Sequence, residues 1–235
     1  MLSVSLTGGF ITILIIASSL GTALGESVIA VIPVGEFPQA LAFNPSNNYI
    51  YVANRDSGTV SVIDSTNNTV IKNITVGSSP GPIAFNPSNN YIYVANAISN
   101  TISVIDSNTS MVTNEVDVQT SPIALEFNPS NNYIYVANRD SGTISVIDST
   151  NNTLLKNVAV GTEPIALEFN PSNNYIYVAN VVSNSVSLIE SINNTIADTV
   201  DVSSLPITLE FNPSNDGMYV AGTLTGTEGL VSIIG

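Results

Sequence analysis

The stretch FNPSNNYIYVAN, residues 43–54, decides the fold of this chain because it is repeated. Identical copies begin at residues 85, 127 and 169, and a divergent copy, FNPSNDGMYVAG, begins at residue 211, so the period is 42 residues. A second block, VSVID at 60–64, recurs with the same period, but its fifth copy, VSIIG, arrives three residues late. A period of this length indicates units that each pack on their neighbours.

Each repeat contains four short apolar segments separated by turn residues. In the second repeat they are PIAF, YIYVAN, TISVID and MVTNEVDV, and the breaks are NPSNN, ISN and SNTS. Segments this short and rich in Val, Ile and Tyr are typical of strands, and Pro and Asn favour the turns between them. The middle strands are apolar on both faces, so both faces need cover. The repeat therefore predicts an all-β fold, a β-propeller of four-stranded antiparallel blades.

The two ends of the chain predict how the ring closes. SVIAVIPV, residues 27–34, lies one period of 42 residues before the fourth strand of the first repeat, so it corresponds to a fourth strand. The last repeat, by contrast, stops after its third strand. We expect residues 27–34 to complete the last blade, which gives a closed five-bladed propeller of five 42-residue repeats over residues 26–235. The alternative is that the five units are part of a larger propeller assembled from two chains.

The repeat resembles a known family. YVAN, followed by SGTVSVID and then by the TV…ITVG segment, is similar to the YVTN-type β-propeller repeat. The resemblance covers nearly all of residues 26–235 and implies an exported archaeal or bacterial protein of the surface-layer type. Propellers of that family are usually larger, so a ring of five departs from the pattern.

The N-terminal segment predicts export. Residues 4–24 carry no charge, FITILIIA is a dense apolar core, and Ala23 and Gly25 are small residues where a signal peptidase would cut. Residues 1–25 are therefore interpreted as a signal peptide, or else as an uncleaved membrane anchor. No Lys or Arg precedes the apolar run, which is unusual for a signal. Both readings place the remaining chain outside the cell or at its surface.

The composition excludes several classes of function. The chain has 18 acidic and four basic residues, a net charge of −14, so a nucleic-acid partner is not expected. Because it contains no His and no Cys, it cannot build a Ser-His-Asp triad or a Cys-His pair. Zinc would lack its preferred ligands.

Two arginine loops are the first candidate site. The sequence RDSG occurs at residues 55–58 and again at 139–142, in loops that leave the second strand of a repeat. In a propeller, loops leaving the second and fourth strands share one face, where ligands usually bind. Arg55 and Arg139 could grip carboxylates or sugars, or each could simply pair with the adjacent Asp in a turn. The ligand-face residues are Arg55, Asp56, Arg139, Asp140, Asn100 and Asn184.

Three glutamates form a second candidate site. They are Glu126, Glu168 and Glu210, which hold the same position in three successive repeats. This position falls on the first strand of each repeat, and first strands line the centre of a propeller. Carboxylate oxygens suit Ca²⁺, but these acids could equally be wetted by channel water. No cofactor is expected otherwise.

Five sequons are candidates for N-glycosylation. They lie at Asn67, Asn73, Asn108, Asn151 and Asn193. All except Asn73 fall in the loop after a third strand, opposite the ligand face, where glycans would solubilise one side of the ring. Alternatively, Asn-Asn-Thr is ordinary turn composition copied with the repeat.

Taken together, these observations predict a non-catalytic exported binding or structural module. Its expected partner is a cell-envelope protein or glycan, its membrane contact is limited to an uncleaved N-terminus, and the chain is expected to be a monomer. The alternative is a metal-assisted hydrolase of the lactonase or esterase type that uses the carboxylates near the channel.

Overall fold

The computed structural model describes residues 4–7, 10–13, 27–203, 205–224 and 228–235. The chain divides into two compact units after residue 31. In the first unit, β1 (Val4–Thr7) pairs antiparallel with β2 (Phe10–Ile13). Within these described ranges, no helix has the length and apolarity needed to cross a bilayer. The small residues at 23–25 lie outside the described residues, so both interpretations of residues 1–25 stay predictions.

The second unit, residues 32–235, contains five antiparallel sheets in chain order. Sheets 1 to 4 have four strands each, and sheet 5 has three among the described residues. The strands are, in sheet 1, β3 (Pro38–Asn44), β4 (Tyr49–Asn54), β5 (Thr59–Asp64) and β6 (Thr69–Thr75); in sheet 2, β7 (Pro80–Asn86), β8 (Tyr91–Asn96), β9 (Thr101–Asp106) and β10 (Met111–Asp117); in sheet 3, β11 (Pro122–Asn128), β12 (Tyr133–Asn138), β13 (Thr143–Asp148) and β14 (Thr153–Ala159); in sheet 4, β15 (Pro164–Asn170), β16 (Tyr175–Asn180), β17 (Ser185–Glu190) and β18 (Thr195–Asp201); and in sheet 5, β19 (Leu205–Asn212), β20 (Gly217–Thr223) and β21 (Gly229–Ile234). One short 3₁₀ helix, η1 (Arg139–Ser141), follows β12.

The asparagines of the repeated phrase build the turn between the first two strands. The side chain of Asn44 accepts a hydrogen bond from the backbone N–H of Ser46 at 2.8 Å, and that of Asn47 accepts one from Tyr49 at 3.0 Å. Asn48 adopts a left-handed backbone with φ 58°, a conformation that Asn tolerates better than most residues. The same bonds recur in the next three copies, which explains why the phrase is conserved between repeats.

The hydrophobic core lies between successive sheets. One cluster joins Tyr51, Val60 and Val62 of sheet 1 to Ile92 and Val94 of sheet 2. Three further clusters join sheets 2 and 3, 3 and 4, and 4 and 5 through the equivalent positions. The middle strands are therefore buried on both faces wherever a sheet has two neighbours, as their unbroken apolar sequence predicts.

Asparagines of one sheet also bond to the next sheet. The Asn44 amide donates to Ser107 Oγ at 2.8 Å, and the equivalent Asn86 amide donates to Ser149 Oγ at 2.8 Å. These serines are buried, so each bond satisfies polar groups that would otherwise be costly to desolvate.

The predicted all-β architecture of repeated four-stranded antiparallel sheets is confirmed. The predicted closure by residues 27–34 is wrong. Those residues belong to no strand, and sheet 5 keeps three strands within the described residues. Ile32 and Val34 do lie beside Leu41 of sheet 1, around a cavity of about 320 Å³, as a fourth strand should. Sheet 5 does not pack on sheet 1, however, because Leu41 of sheet 1 and Val231 of sheet 5 stay 69% and 61% exposed.

Candidate ligand-binding face

Hydrogen bonds hold the loops leaving second and fourth strands side by side. The backbone N–H of Arg55 donates to the carbonyl of Phe37 at 2.9 Å, and that of Ala97 donates to Ser79 at 3.0 Å. Arg139 and Val181 make the same bond to Ser121 and Glu163. In each of sheets 1 to 4, the loop after the second strand is thus tied to the segment preceding the first strand. We call the surface formed by these paired loops the loop face.

Arg55 occupies a distinctive position on the loop face. Its Nε donates to Asp56 Oδ1 at 2.8 Å, and its guanidinium carbon lies 3.9 Å from the centre of the Phe37 ring. That distance is within the range of a cation–π contact, which favours a fixed arginine plane. The Asp56 contact is the side chain's only hydrogen bond to the described part of the chain. The Nη donors of Arg55 are therefore available to a ligand.

Two cavities share Arg55. The larger, of about 710 Å³, is lined by residues 55–58 with Ser78, Ser79 and Ile98. The second, of about 480 Å³, is lined by Arg55 and by the beginnings of the first strands of sheets 1 to 3, including Gln39, Pro82 and Leu125. The first cavity is lined mainly by polar residues, whereas the second has mostly apolar walls with a few polar groups, which is the usual form of a small-ligand site.

Arg139 has the same loop sequence but different surroundings. Its Nε donates to Asp140 Oδ1 at 2.8 Å, and this hydrogen bond lowers the pKa of Asp140. Ser121 stands where sheet 1 has Phe37. The adjoining cavity, of about 450 Å³, is lined by residues 139–142 and 160–163 and contains Glu163. Arg139 thus faces an acidic neighbour, whereas Arg55 has an aromatic one.

Asn100 and Asn184 lie in the loops that follow second strands. Both have left-handed backbones, with φ 58° and 50°, and Gly58 and Gly142 hold the equivalent positions with φ 60° and 62°. Asn100 also accepts a hydrogen bond from the Ser121 N–H at 2.9 Å. These two asparagines therefore shape the loop face.

The three candidate glutamates lie on adjacent first strands, β11, β15 and β19. Burial, together with the negative charge of Glu168, raises the pKa of Glu126 to about 8. Burial and then Glu210 raise the pKa of Glu168, while a hydrogen bond from the Phe211 N–H opposes the shift. Glu210 is exposed. Across the described ranges, no three His, Cys, Asp or Glu side chains come close enough together to hold a metal ion, so these acids do not fit a calcium site.

All five candidate glycosylation residues are exposed. Asn67, Asn108, Asn151 and Asn193 lie in the turns between third and fourth strands, and Asn73 lies within β6. Asn73 accepts a hydrogen bond from Ser61 Oγ at 2.8 Å, so a glycan there would compete with this contact.

Phe37 is the residue of this face that the sequence interpretation missed. Its equivalents in the next three repeats are Ser79, Ser121 and Glu163. The fifth repeat has Leu205 at this position, so Phe37 is its only aromatic residue. A comparison of the five repeats position by position is the signal that singles Phe37 out.

The repeated four-stranded sheets, packed through their apolar faces, define the chain as a β-propeller protein. The family model for "Lactonase, 7-bladed beta-propeller" matches residues 66–197, more than half of the sequence. The chain belongs to this family. No curated protein sequence matches it.

Solved structures share the fold at low sequence identity. Hydrazine synthase of Kuenenia stuttgartiensis has a TM-score of 0.73 at 20% identity, over 91% of this chain and 66% of that one. The dihydro-heme d1 dehydrogenase NirN has 0.69 at 16% identity, over 83% of this chain and 44% of that one. The Cps50 (Swd1) β-propeller domain of Myceliophteria thermophila has 0.70 at 15% identity, over 84% and 65%. The chain thus spans less than two thirds of each of these proteins, and the likeness concerns the fold alone.

Proposed function

We propose that this chain is a non-catalytic, exported binding module that acts at the cell surface through its loop face. The observation that carries the proposal is Arg55, whose guanidinium is oriented by Asp56 and Phe37 between two cavities. A planar, preoriented guanidinium suits a carboxylate or a sugar hydroxyl. The ligand class is therefore an envelope glycan or an acidic protein segment. The resemblance to YVTN-type surface-layer repeats and the charge-free N-terminus support the location.

Binding to the envelope should depend on Arg55. We expect Arg55→Ala to weaken binding of the purified chain to its own cell-surface fraction by about tenfold or more, because a charge-assisted hydrogen bond contributes roughly 1.5–3 kcal/mol. Lys72→Ala is the matched control, since it removes the same charge from β6. Arg139→Ala tests whether the second loop contributes. Binding of Arg55→Ala that equals the wild type would reject the proposal.

The alternative function is a hydrolase, and one observation favours it besides the family match. Glu126, with its pKa raised to about 8, holds a proton at neutral pH and could serve as a general acid. The described acids do not gather as a metal site, so this alternative rests on Glu126 alone. Lactone hydrolysis that disappears in Glu126→Gln would support it, and absence of turnover in the wild type would remove it.

A further inference from the structure

The four interfaces between successive sheets all use the same two faces. We call the face of a sheet that packs on the next sheet in the chain its following face, and the opposite face its preceding face. The following face has four apolar positions, which in sheet 1 are Tyr51, Ala53, Val60 and Val62. The preceding face of the next sheet presents five, which in sheet 2 are Ile83, Phe85, Ile92, Val94 and Ile105. The equivalent residues of sheets 2 to 5 pack in the same way. Any following face of this repeat is therefore shaped to fit any preceding face.

Among the described residues, no further sheet covers the following face of sheet 5. We call this the tail face, consisting of Tyr219, Ala221, Val231 and Ile233. Val231 and Ile233 are each 61% exposed. Their equivalents in sheets 1 to 4 are buried: Val60, Ile102, Ile144 and Val186 for the first, and Val62, Val104, Val146 and Leu188 for the second.

Sheet 1 presents a preceding face that is only partly covered. We call this the head face, consisting of Leu41, Phe43, Ile50, Val52 and Ile63. Leu41 is 69% and Phe43 is 51% exposed, whereas the equivalent Leu167 and Phe169 of sheet 4 are buried. Ile32 and Val34 lie beside Leu41, Val52 and Ile63, and they precede Ile74 and Val76 of a fourth strand by one repeat.

The tail face and the head face also carry a matching hydrogen-bond donor and acceptor. Within the chain, Asn89 donates to the Ser149 carbonyl at 2.8 Å and Asn131 donates to the Ser191 carbonyl at 2.9 Å. Ser65 is the equivalent serine of sheet 1 and is half-buried, while Ser149 and Ser191 are buried. The equivalent donor in sheet 5 is Asn215, which is exposed. One end thus has the donor and the other has the acceptor.

We propose that the tail face of one copy of this chain binds the head face of a second copy. The argument is continuity, because the contact would repeat an interface that the chain already forms four times. It buries Val231 and Ile233 against Leu41 and Phe43, which removes two exposed apolar patches. It also brings Ile32 and Val34 of one copy to the free edge of β21 in the other, where sheet 5 has no fourth strand among the described residues. The association is heterologous, so it forms chains or rings of copies, in place of the expected monomer.

Single charges block each end without disturbing a buried core. Leu41→Asp blocks the head face and Ile233→Asp blocks the tail face, and both positions are exposed. Ile192→Asp is the control, because Ile192 is exposed in a turn outside both faces. In sedimentation velocity with the full chain, we expect the wild type and Ile192→Asp to associate as concentration rises, and each end-blocked variant to stay monomeric.

Mixing the two blocked variants gives the decisive readout. Each retains one intact end, so an equimolar mixture of Leu41→Asp and Ile233→Asp should form a one-to-one dimer that neither forms alone. A wild type that remains monomeric at all concentrations overturns the proposal. This holds both if the head and tail faces of one chain cover each other and if they stay exposed. A mixture that stays monomeric, or a control that loses association, overturns it too.

Discussion

Ile134→Ala is expected to lower the free energy of unfolding by about 4 kcal/mol, near the upper part of the range for a fully buried isoleucine. Ile134 is completely buried between sheets 2 and 3, where it packs with residues of both sheets. Removing three carbons there leaves a cavity that rigid strands on both sides cannot close. Urea denaturation followed by circular dichroism measures the loss.

The repeat supplies a matched control for this substitution. Ile50 occupies the same place in the same twelve-residue phrase, but it lies on the head face and is only half-buried. Ile50→Ala should therefore lower the free energy of unfolding by only about 1 kcal/mol, because folding buries a smaller apolar area at Ile50 than at Ile134. The measurement needs dilute protein, at which the head face is free. Equal losses at the two positions would contradict the placement of Ile134 between two sheets and of Ile50 on the partly covered head face.

Glu126→Gln is expected to stabilise the protein at high pH by about 2 kcal/mol. The folded-state pKa of Glu126, raised to about 8 by burial and then by Glu168, exceeds its usual value of 4.5. The folded chain therefore holds this proton more tightly than the unfolded chain, and the stability that Glu126 contributes falls as pH rises from about 4.5 to about 8. Partial exposure to water reduces the cost below the full value of the shift.

A pH series distinguishes this effect from a general change in stability. The unfolding free energies of Glu126→Gln and wild type should agree at pH 4 and diverge toward pH 9. Asp117→Asn, which neutralises an exposed acid on β10, should show no such divergence. A difference between Glu126→Gln and wild type that stays constant over the series would show that the carboxyl does not titrate in this environment.

The strands and turns of this fold could be predicted from the sequence because the same strand and turn patterns recur in several copies of the repeat. Each YIYVAN segment is apolar on both faces, and each NPSNN segment carries the asparagines whose side chains bond back to the turn. The placement of residues 27–34 could not be predicted. The repeat position of Ile32 and Val34 correctly relates them to Ile74 and Val76, which pack on the next sheet, but it does not say whether they pair with β21.

The candidate site was predictable only in part. The two RDSG loops could be found as a repeated sequence, and their ion pairs with the adjacent Asp follow from it. The difference between Arg55 and Arg139 depends on Phe37, which occurs once, outside the repeated phrase. The pKa of Glu126 depends on how deeply its strand is covered by neighbouring sheets, and that is a property of packing.

The most direct test of the proposed binding role is hydrogen–deuterium exchange of the full chain with and without its cell-surface fraction. We expect slower exchange in the presence of envelope material at residues 36–37, 55–58, 78–79 and 97–98, which form the loop face around Arg55. The turns at residues 45–48 and 65–68, between other strands of the same sheet, should be unchanged. Protection of those turns, or of no segment, would contradict the account.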